Sequence, residues 1–252
     1  MYHFDVKIIS RRKGQSVVAV IAYRSGKKLY DRYYGEFHDF TKKGGIVHSW
    51  IILPPNAPEK YSGRETLWNE VEQNEKRRDS RLAREVEIAL PVELTTLEEK
   101  IRLVERYVIA NFVERGMIAD ISLHDKGDGN PHAHILLTTR EVDPDGFGLK
   151  NRDWDKRANV TTWRKEWENE LNHEYERKGI EKRVDHESYA VQGISLIPKI
   201  HLGHQVKKLE RNGIETDRGN EYRAIIESRE RAEQERQRKK ERQQRRRRER
   251  ER

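Results

Sequence analysis

A turn that carries three histidines between two apolar segments constrains the fold of this chain more than any other feature. Within residues 118–138, the glycine- and proline-containing segment 125–131 separates two strand-like, largely apolar stretches. Glycine permits a positive φ and proline ends a strand, so the pattern predicts a tight antiparallel β-hairpin. Because successive strand side chains point to opposite faces, His132 and His134 share a face, and the hairpin returns His124 beside them.

Three converging imidazoles favour a divalent-metal site with open coordination positions, as a catalytic metal requires. A single histidine in a strand is usually an ordinary core or surface residue. Three of them across one hairpin are hard to explain by packing, because imidazole is a poor core residue without a partner. The spacing therefore predicts metal binding, but it identifies neither the metal nor the reaction.

Composition limits the architecture and the class of protein. The 252 residues have room for one domain of about 200 residues and an extension. With 38% charged and 34% hydrophobic residues, the chain is too polar for one compact globule throughout. The absence of cysteine excludes disulfides and cysteine-ligated zinc. The sequence shows neither a secretory signal pattern nor an apolar run of transmembrane length, so we expect a cytoplasmic protein without membrane insertion.

The net charge of +8 is concentrated at the C-terminus. Residues 228–252 contain 13 lysines and arginines and 6 glutamates, a net charge of +7. Residues 1–227 are left with 39 basic and 38 acidic residues, a net charge of only +1. DNA binding by this larger part must therefore be argued from local sites. The charged tail is predicted to be helical or disordered, and to serve either solubility or salt-sensitive DNA contacts.

Apolar periodicity in the rest of the chain predicts strands and helices. We predict strands at residues 2–9, 46–53 and 81–90, and helices at residues 15–28, 59–77, 95–115 and 161–178. Residues 30–43 are polar, aromatic and turn-like. This order indicates an α+β fold with a central antiparallel sheet flanked by helices. We divide the chain into a domain at 1–205, an extension at 206–227 and the basic tail at 228–252.

Two carboxylates are candidates to act with the histidines. Glu85 and Glu87 share one face of the predicted strand at 81–90. Next to the histidine hairpin, one of them would orient a ligand imidazole or act as a general base. The same alternation is equally consistent with a solvated sheet face, so the residues alone leave both interpretations open.

Tyr23 is a candidate nucleophile near the end of the first predicted helix. The basic residues around it would bind phosphate groups and favour an ionised phenol. A tyrosine at the end of an apolar helix is more often a core residue, however. Residue type alone does not distinguish Tyr23 from Tyr30, Tyr33 and Tyr34.

A series of short motifs spans most of the chain. They are Gly14-Gln15-Ser16, Ala22-Tyr23-Arg24-Ser25-Gly26, Arg84-Glu-Val-Glu-Ile-Ala-Leu-Pro91, His124 with Asn130-Pro-His-Ala-His134, Gln192-Gly193-Ile194 and Pro198-Lys-Ile-His-Leu-Gly203. In this combination and order the chain resembles the MobA/MobL-type plasmid mobilisation relaxases, which are HUH endonucleases. The resemblance covers roughly residues 1–205. Each motif is weak alone, whereas the set is specific.

The resemblance implies an HUH relaxase fold with a ferredoxin-like palm and a set of site residues. Tyr23 would be the nucleophile, and His124, His132 and His134 would bind a divalent metal ion, Mg²⁺ or Mn²⁺. Glu85 would be the acidic residue near the site, with Glu87 as the second candidate. We take Arg24, Arg81 and Arg84 as candidate DNA phosphate contacts.

The resemblance also implies an activity. The protein would nick one strand at a plasmid transfer origin, form a 5′-phosphotyrosyl intermediate and later religate the strand. Its partners would be single-stranded DNA with a hairpin and a nick region, accessory mobilisation proteins and the coupling protein of a secretion system. Because Tyr23 precedes the histidines, mobilisation is favoured over rolling-circle replication initiation. Two further alternatives are a non-catalytic DNA-binding protein and a metallohydrolase without a covalent intermediate.

Overall fold

The computed structural model describes residues 2–187 and 202–250, which belong to two compact units that meet in sequence between His186 and Glu187. The strands are β1 (Phe4–Ser10), β2 (Lys28–Asp31), β3 (Glu36–Asp39), β4 (Ile46–Ile52), β5 (Arg81–Ala89), β6 (Ala119–His124), β7 (His132–Leu137), β8 (Arg140–Asp143) and β9 (Gly146–Lys150). The helices are α1 (Val17–Ser25), α2 (Arg64–Asn74), α3 (Leu97–Asn111), α4 (Arg157–Arg177), α5 (Gly203–Arg211) and α6 (Asp217–Arg250).

A five-stranded antiparallel sheet forms the centre of the first unit, with the strand order β1-β5-β7-β6-β4. The predicted histidine hairpin is β6–β7, in which His124 lies opposite His132. On its other side β7 pairs with β5, so that His134 lies opposite Glu87. This pairing places the carboxylates of β5 next to the histidines and confirms the predicted α+β class.

Helices cover both faces of the sheet, because the strands alternate between two buried sets of side chains. Val86 and Ile88 of β5 belong to the core beneath α3 and α4. Ala83 of the same strand belongs to the core beneath α1 and α2. Trp163 and Trp167 of α4 are fully buried, as expected for core aromatics. The candidate site lies on the α1 side of the sheet.

Two short hairpins were not predicted. Residues 30–43 contain most of the β2–β3 hairpin, in which the Asp31 carboxylate accepts the backbone N–H groups of Tyr33 and Tyr34 and thereby forms the turn. The β8–β9 hairpin is held at its turn by the Asp143 carboxylate, which accepts the Gly146 N–H group. Both strand pairs are short and polar, so alternation of apolar residues did not reveal them.

The second unit contains the charged C-terminal segment. Its helix α6 runs from Asp217 to Arg250 and continues through the boundary that was predicted between the extension and the basic tail. Of the two predicted states of the tail, this is the helical one. The motif at 192–194 and residues 198–201 of the motif at 198–203 lie outside the described residues, whereas Leu202 and Gly203 lie within them. Within residues 2–187 and 202–250, no helix combines the length and the apolar character that a bilayer crossing requires.

Candidate metal centre

The three histidines of the β6–β7 hairpin converge. Ring centroids are 5.3 Å apart for His124 and His132, 4.7 Å for His124 and His134, and 5.1 Å for His132 and His134. One ring nitrogen from each residue lies within 4.8 Å of the others. His124 and His134 are buried, whereas His132 is half-buried, so the cluster opens to solvent on one side. The three nitrogens are close enough to share one metal ion, and the open side would leave positions for other ligands.

Hydrogen bonds to backbone carbonyls fix two of the rings. His124 Nε2 lies 2.6 Å from the Arg24 carbonyl oxygen, and His132 Nδ1 lies 2.8 Å from the Asn130 carbonyl oxygen. A carbonyl oxygen only accepts, so in both cases the bonded ring nitrogen donates. In an imidazole that donates in this way, the other ring nitrogen can carry the lone pair that binds a metal.

His134 is fixed by a carboxylate instead. Its Nδ1 lies 2.9 Å from Glu85 Oε1, which leaves the Nε2 lone pair free of that bond. Burial lowers the pKa of His134, although the Glu85 hydrogen bond opposes this effect. Burial also lowers the pKa of His124, to about 3. Both rings are therefore neutral at pH 7, which is the form that binds metals.

Glu85 connects the histidine cluster to helix α1. It is only 2% exposed and accepts hydrogen bonds from Arg24 Nε at 2.7 Å and Arg24 Nη2 at 3.3 Å, in addition to the bond from His134. Burial raises its pKa, but the His134 hydrogen bond and the Arg24 charge outweigh burial and lower it to about 2. Glu85 is thus an ionised carboxylate with both oxygens occupied.

Glu87 lies further from the cluster. Its carboxylate accepts a hydrogen bond from Lys7 Nζ at 3.0 Å and lies 3.9 Å from His134 Nδ1. Burial raises the pKa of Glu87, but the Lys7 hydrogen bond and nearby positive charges outweigh burial, so the pKa lies below its usual value. The alternative of a solvated sheet face is therefore wrong for Glu85, whereas Glu87 partly fits it.

Tyr23 projects from the last turn of α1 and is 43% exposed. The next residue, Arg24, contacts the cluster twice, through its carbonyl oxygen to His124 and through its side chain to Glu85. Gly26 ends the helix with a φ of 63°, a left-handed conformation that favours glycine. The local sequence thus holds Tyr23 one residue away from the anchor of the histidine cluster.

The other tyrosines have different surroundings. Tyr30 packs against Phe37 with ring centroids 4.8 Å apart, and the Tyr33 ring lies 4.2 Å from Arg11 Cζ. Tyr33 and Tyr34 contact each other near the tip of the β2–β3 hairpin. The contacts that lead to the histidines therefore begin beside Tyr23.

The prediction for Arg84 needs correction. Arg84 is 3% exposed, and its Nη2 donates to Asp155 at 2.8 Å on the face of the sheet that α4 covers. Its guanidinium carbon also lies 5.1 Å from the centroid of the Trp163 ring. A buried, paired arginine on the opposite face cannot contact DNA bound at the histidines. Alternation along β5 separates it from Glu85.

Arg81 lies in a different place, at the rim of a groove of about 970 Å³. The loop between α2 and β5 and the β8–β9 hairpin form this groove, and its basic lining residues are Lys76, Arg77, Arg81, Arg140, Lys150 and Arg152. A second depression of about 620 Å³ shares Arg77 and adds Arg11, Arg12 and Arg78. Of these lining residues, only Arg81 was predicted as a DNA phosphate contact. The sequence did not reveal the groove, because the two segments that form it are about seventy residues apart in the chain.

The family of the chain follows from comparison with known sequences. Residues 15–212 match the model of the MobA/MobL family. The chain belongs to the MobA/MobL family. The matched segment includes Tyr23, Glu85 and all three histidines of the cluster. The family resemblance inferred from the motifs is thereby confirmed.

Relatives of this MobA/MobL chain carry names from DNA transfer. Conjugal transfer protein TraA of Agrobacterium fabrum (strain C58) is 37% identical over 240 residues, which cover 83% of this chain and 22% of TraA. Mobilization protein MobL of Acidithiobacillus ferridurans is 35% identical over 252 residues, which cover 86% of this chain and 66% of MobL. The chain thus spans about a fifth of the length of TraA.

A solved structure shares the fold of this MobA/MobL chain. It comes from work described as "Molecular Basis of Vancomycin Resistance Transfer in Staphylococcus aureus". The two chains are 37% identical and superpose with a TM-score of 0.71, over 75% of this chain and all of the solved one.

Proposed function

We propose that this MobA/MobL chain is a relaxase that nicks one strand of DNA at a plasmid transfer origin through Tyr23. One observation carries the proposal: Arg24, the residue after Tyr23, bonds both to His124 and to the Glu85 that orients His134. Tyr23 presents an exposed phenol directly before the residue that bonds to His124 and Glu85. The relatives' names, conjugal transfer and mobilization proteins, support a transfer origin as the DNA target.

The proposed reaction is a transesterification. The Tyr23 oxygen attacks the scissile phosphorus, a bond forms between them, and the bond from phosphorus to the 3′ oxygen breaks. The phenol proton is lost and the released 3′ oxygen gains one, so a 5′-phosphotyrosyl ester and a free 3′-hydroxyl result. Because one phosphate diester replaces another, the step is reversible, which suits later religation.

The residues fit a divalent metal ion. His124, His132 and His134 would hold it, since each ring has one nitrogen fixed by an oxygen acceptor and the other left with its lone pair. When bound, Mg²⁺ or Mn²⁺ supplies positive charge that polarises a phosphoryl oxygen. Glu85 keeps His134 in the required tautomer.

Glu85 acts in this proposal by orientation rather than as a general base. Its pKa of about 2 makes it a weak proton acceptor at pH 7, and Arg24 and His134 already occupy its oxygens. Through its bonds to His124 and Glu85, Arg24 positions the end of α1 against the histidine cluster. Its partly exposed guanidinium remains a candidate for a phosphate contact in addition.

DNA would extend from the site into the basic groove at the other end of β5. Arg77, Arg81 and Arg152 line that groove with side chains suited to phosphate oxygens. In this proposal the groove would take the hairpin that accompanies the nick region, and the basic tail would add sequence-independent contacts. Accessory mobilisation proteins and a coupling protein would act on the same complex.

The test uses supercoiled DNA of the plasmid that encodes this chain, incubated with Mn²⁺ or with EDTA and quenched with detergent. We expect nicked circles that carry covalent protein, formed only with metal and lost in Tyr23→Phe. Tyr33→Phe is the matched control and should behave as wild type. Nicking without covalent protein would indicate a metallohydrolase, and DNA binding without nicking would indicate a non-catalytic binding protein.

Cleavage at a double-strand origin rather than a transfer origin would indicate a replication initiator. The same assay separates this alternative when the two origins are supplied on different plasmids. Transfer of only the plasmid that carries the transfer origin would support mobilisation.

A further inference from the structure

Segment 40–45, which joins β3 to β4, packs around Tyr23. The Phe40 ring meets the Tyr23 ring edge to face, with centroids 5.2 Å apart and an interplanar angle of 89°. Lys43 Nζ lies 3.6 Å from the centroid of the Tyr23 ring and donates a hydrogen bond of 2.8 Å to the Tyr23 carbonyl oxygen. One residue of the segment thus contacts the ring edge to face, and another places a positive charge over it.

The same segment is attached to the histidine cluster. The Lys43 backbone N–H group donates to the Phe40 carbonyl oxygen at 2.9 Å, which closes a turn between the two residues that contact the Tyr23 ring. Two residues later, the Gly45 carbonyl oxygen accepts a hydrogen bond of 2.8 Å from the backbone N–H group of Asp125. Asp125 directly follows His124, the last residue of β6. One backbone hydrogen bond therefore joins segment 40–45 to the residue after β6.

The position of Lys43 is electrostatically unfavourable without a compensating anion. Burial, together with the positive charges of Arg24 and Lys126, lowers its pKa to about 8. The Lys126 side chain passes close to Gly45 on the same side of the segment. An ammonium held among two other cations and over a phenol would be stabilised by negative charge that develops on the phenol oxygen.

We propose that Lys43 is a positioning residue for Tyr23, which restricts the phenol ring to one orientation and stabilises the charge that forms on its oxygen during attack. The proposal rests on the proposed function, because it takes Tyr23 to be the attacking group. Lys43 acts through the ring, not through the DNA. Arginine retains the positive charge and the ability to lie over a ring, so Lys43→Arg should preserve most of the effect.

The kinetic test compares Lys43→Met with Lys43→Arg and with Lys42→Met, the same change at the exposed neighbour. Single-turnover adduct formation is measured with Mn²⁺ and a saturating oligonucleotide that spans the transfer origin. We expect Lys43→Met to slow adduct formation about tenfold, with the DNA dissociation constant within about twofold of wild type. Lys43→Arg should recover most of the rate, and Lys42→Met should match wild type.

Two kinetic results would overturn the proposal. A wild-type rate in Lys43→Met would exclude a positioning role. A larger DNA dissociation constant with an unchanged rate of adduct formation at saturating DNA would make Lys43 a phosphate contact instead. Thermal unfolding and Mn²⁺ titration of each variant show that the fold and the histidine cluster are intact.

A spectroscopic test is independent of activity. With 3-fluorotyrosine placed at position 23, the ¹⁹F resonance should shift in Lys43→Met and stay in place in Lys42→Met. An unchanged resonance in Lys43→Met would contradict the contact between Lys43 and the ring. Absence of any adduct in wild type would count against the proposed function, whereas the ¹⁹F result would still decide the Lys43 contact.

Discussion

The two faces of strand β5 show how neighbouring charges acquire different roles. Arg84 and Glu85 are adjacent, both nearly fully buried and both paired with a charged partner. Arg84 pairs with Asp155 beneath α4, whereas Glu85 joins His134 to Arg24 of α1. Burial and charge alone do not mark a functional residue. The partner that a residue meets on its face of the sheet indicates its role, and strand alternation decides which face the residue occupies.

The largest effect is expected on the Glu85 face. Glu85→Gln keeps the size of the side chain but weakens the hydrogen bonds that hold His134 and Arg24. Loss of the hydrogen-bond acceptor that orients a metal-binding histidine typically weakens metal binding by about ten- to a hundredfold. Calorimetric titration with Mn²⁺ would measure this change. An unchanged affinity would show that His134 needs no orienting carboxylate.

A substitution at Arg84 should lower the stability of the protein and leave metal binding unchanged. Arg84→Met leaves the half-buried Asp155 without this partner, and we expect the free energy of unfolding to fall by about 2 kcal/mol. Urea denaturation measures that loss, and Mn²⁺ affinity should stay as in wild type. Weaker Mn²⁺ binding by Arg84→Met would break the distinction between the two faces.

The pH dependence of stability should differ between wild type and His124→Asn in the metal-free protein. Burial depresses the folded-state pKa of His124 to about 3, so the unfolded chain binds a proton that the folded chain does not. This contribution to stability is present above about pH 6.5 and is lost as the pH falls toward 3. Urea denaturation between pH 7.5 and 5 should show a smaller decline for His124→Asn. Parallel declines would contradict the buried, neutral state of His124.

The smallest effect is expected at Arg81, three residues before Arg84 and exposed at the groove. Arg81→Gln should weaken binding of origin DNA by about two- to threefold and reduce the salt dependence by about one counterion. Fluorescence anisotropy at several salt concentrations measures both. If Arg84→Gln produced the same change in a folded protein, the assignment of the groove would be wrong.

Local patterns predicted the parts of the site that lie close together in sequence. The β6–β7 hairpin followed from turn residues and alternation, which also placed His124, His132 and His134 on one face. The same alternation along β5 assigns Arg84 and Glu85 to opposite faces of the sheet. Charge alone, on which the prediction of Arg84 as a DNA contact rested, does not distinguish a phosphate contact from a buried ion pair.

Long-range contacts were beyond such patterns. The bond between Arg24 and Glu85 joins residues 61 positions apart, and it forms because α1 packs on the face of the sheet that carries Glu85. The register of β5 beside β7 in turn brings the carboxylates of β5 next to His134. Tyr23 stood out from the other tyrosines by family resemblance, not by composition. Lys43 had no sequence signal, because its role depends on how segment 40–45 folds over the ring.

The most direct test of the proposed mechanism identifies the residue that becomes attached to DNA. Wild-type protein is allowed to cleave an oligonucleotide of the transfer origin in the presence of Mn²⁺. The adduct is then digested with nuclease and trypsin, and its peptides are sequenced by tandem mass spectrometry. The mechanism predicts a nucleotide phosphate on Tyr23. Attachment to Tyr30, Tyr33 or Tyr34 would contradict it, because those residues lie on the β2–β3 hairpin, away from the Arg24 connection to the histidine cluster.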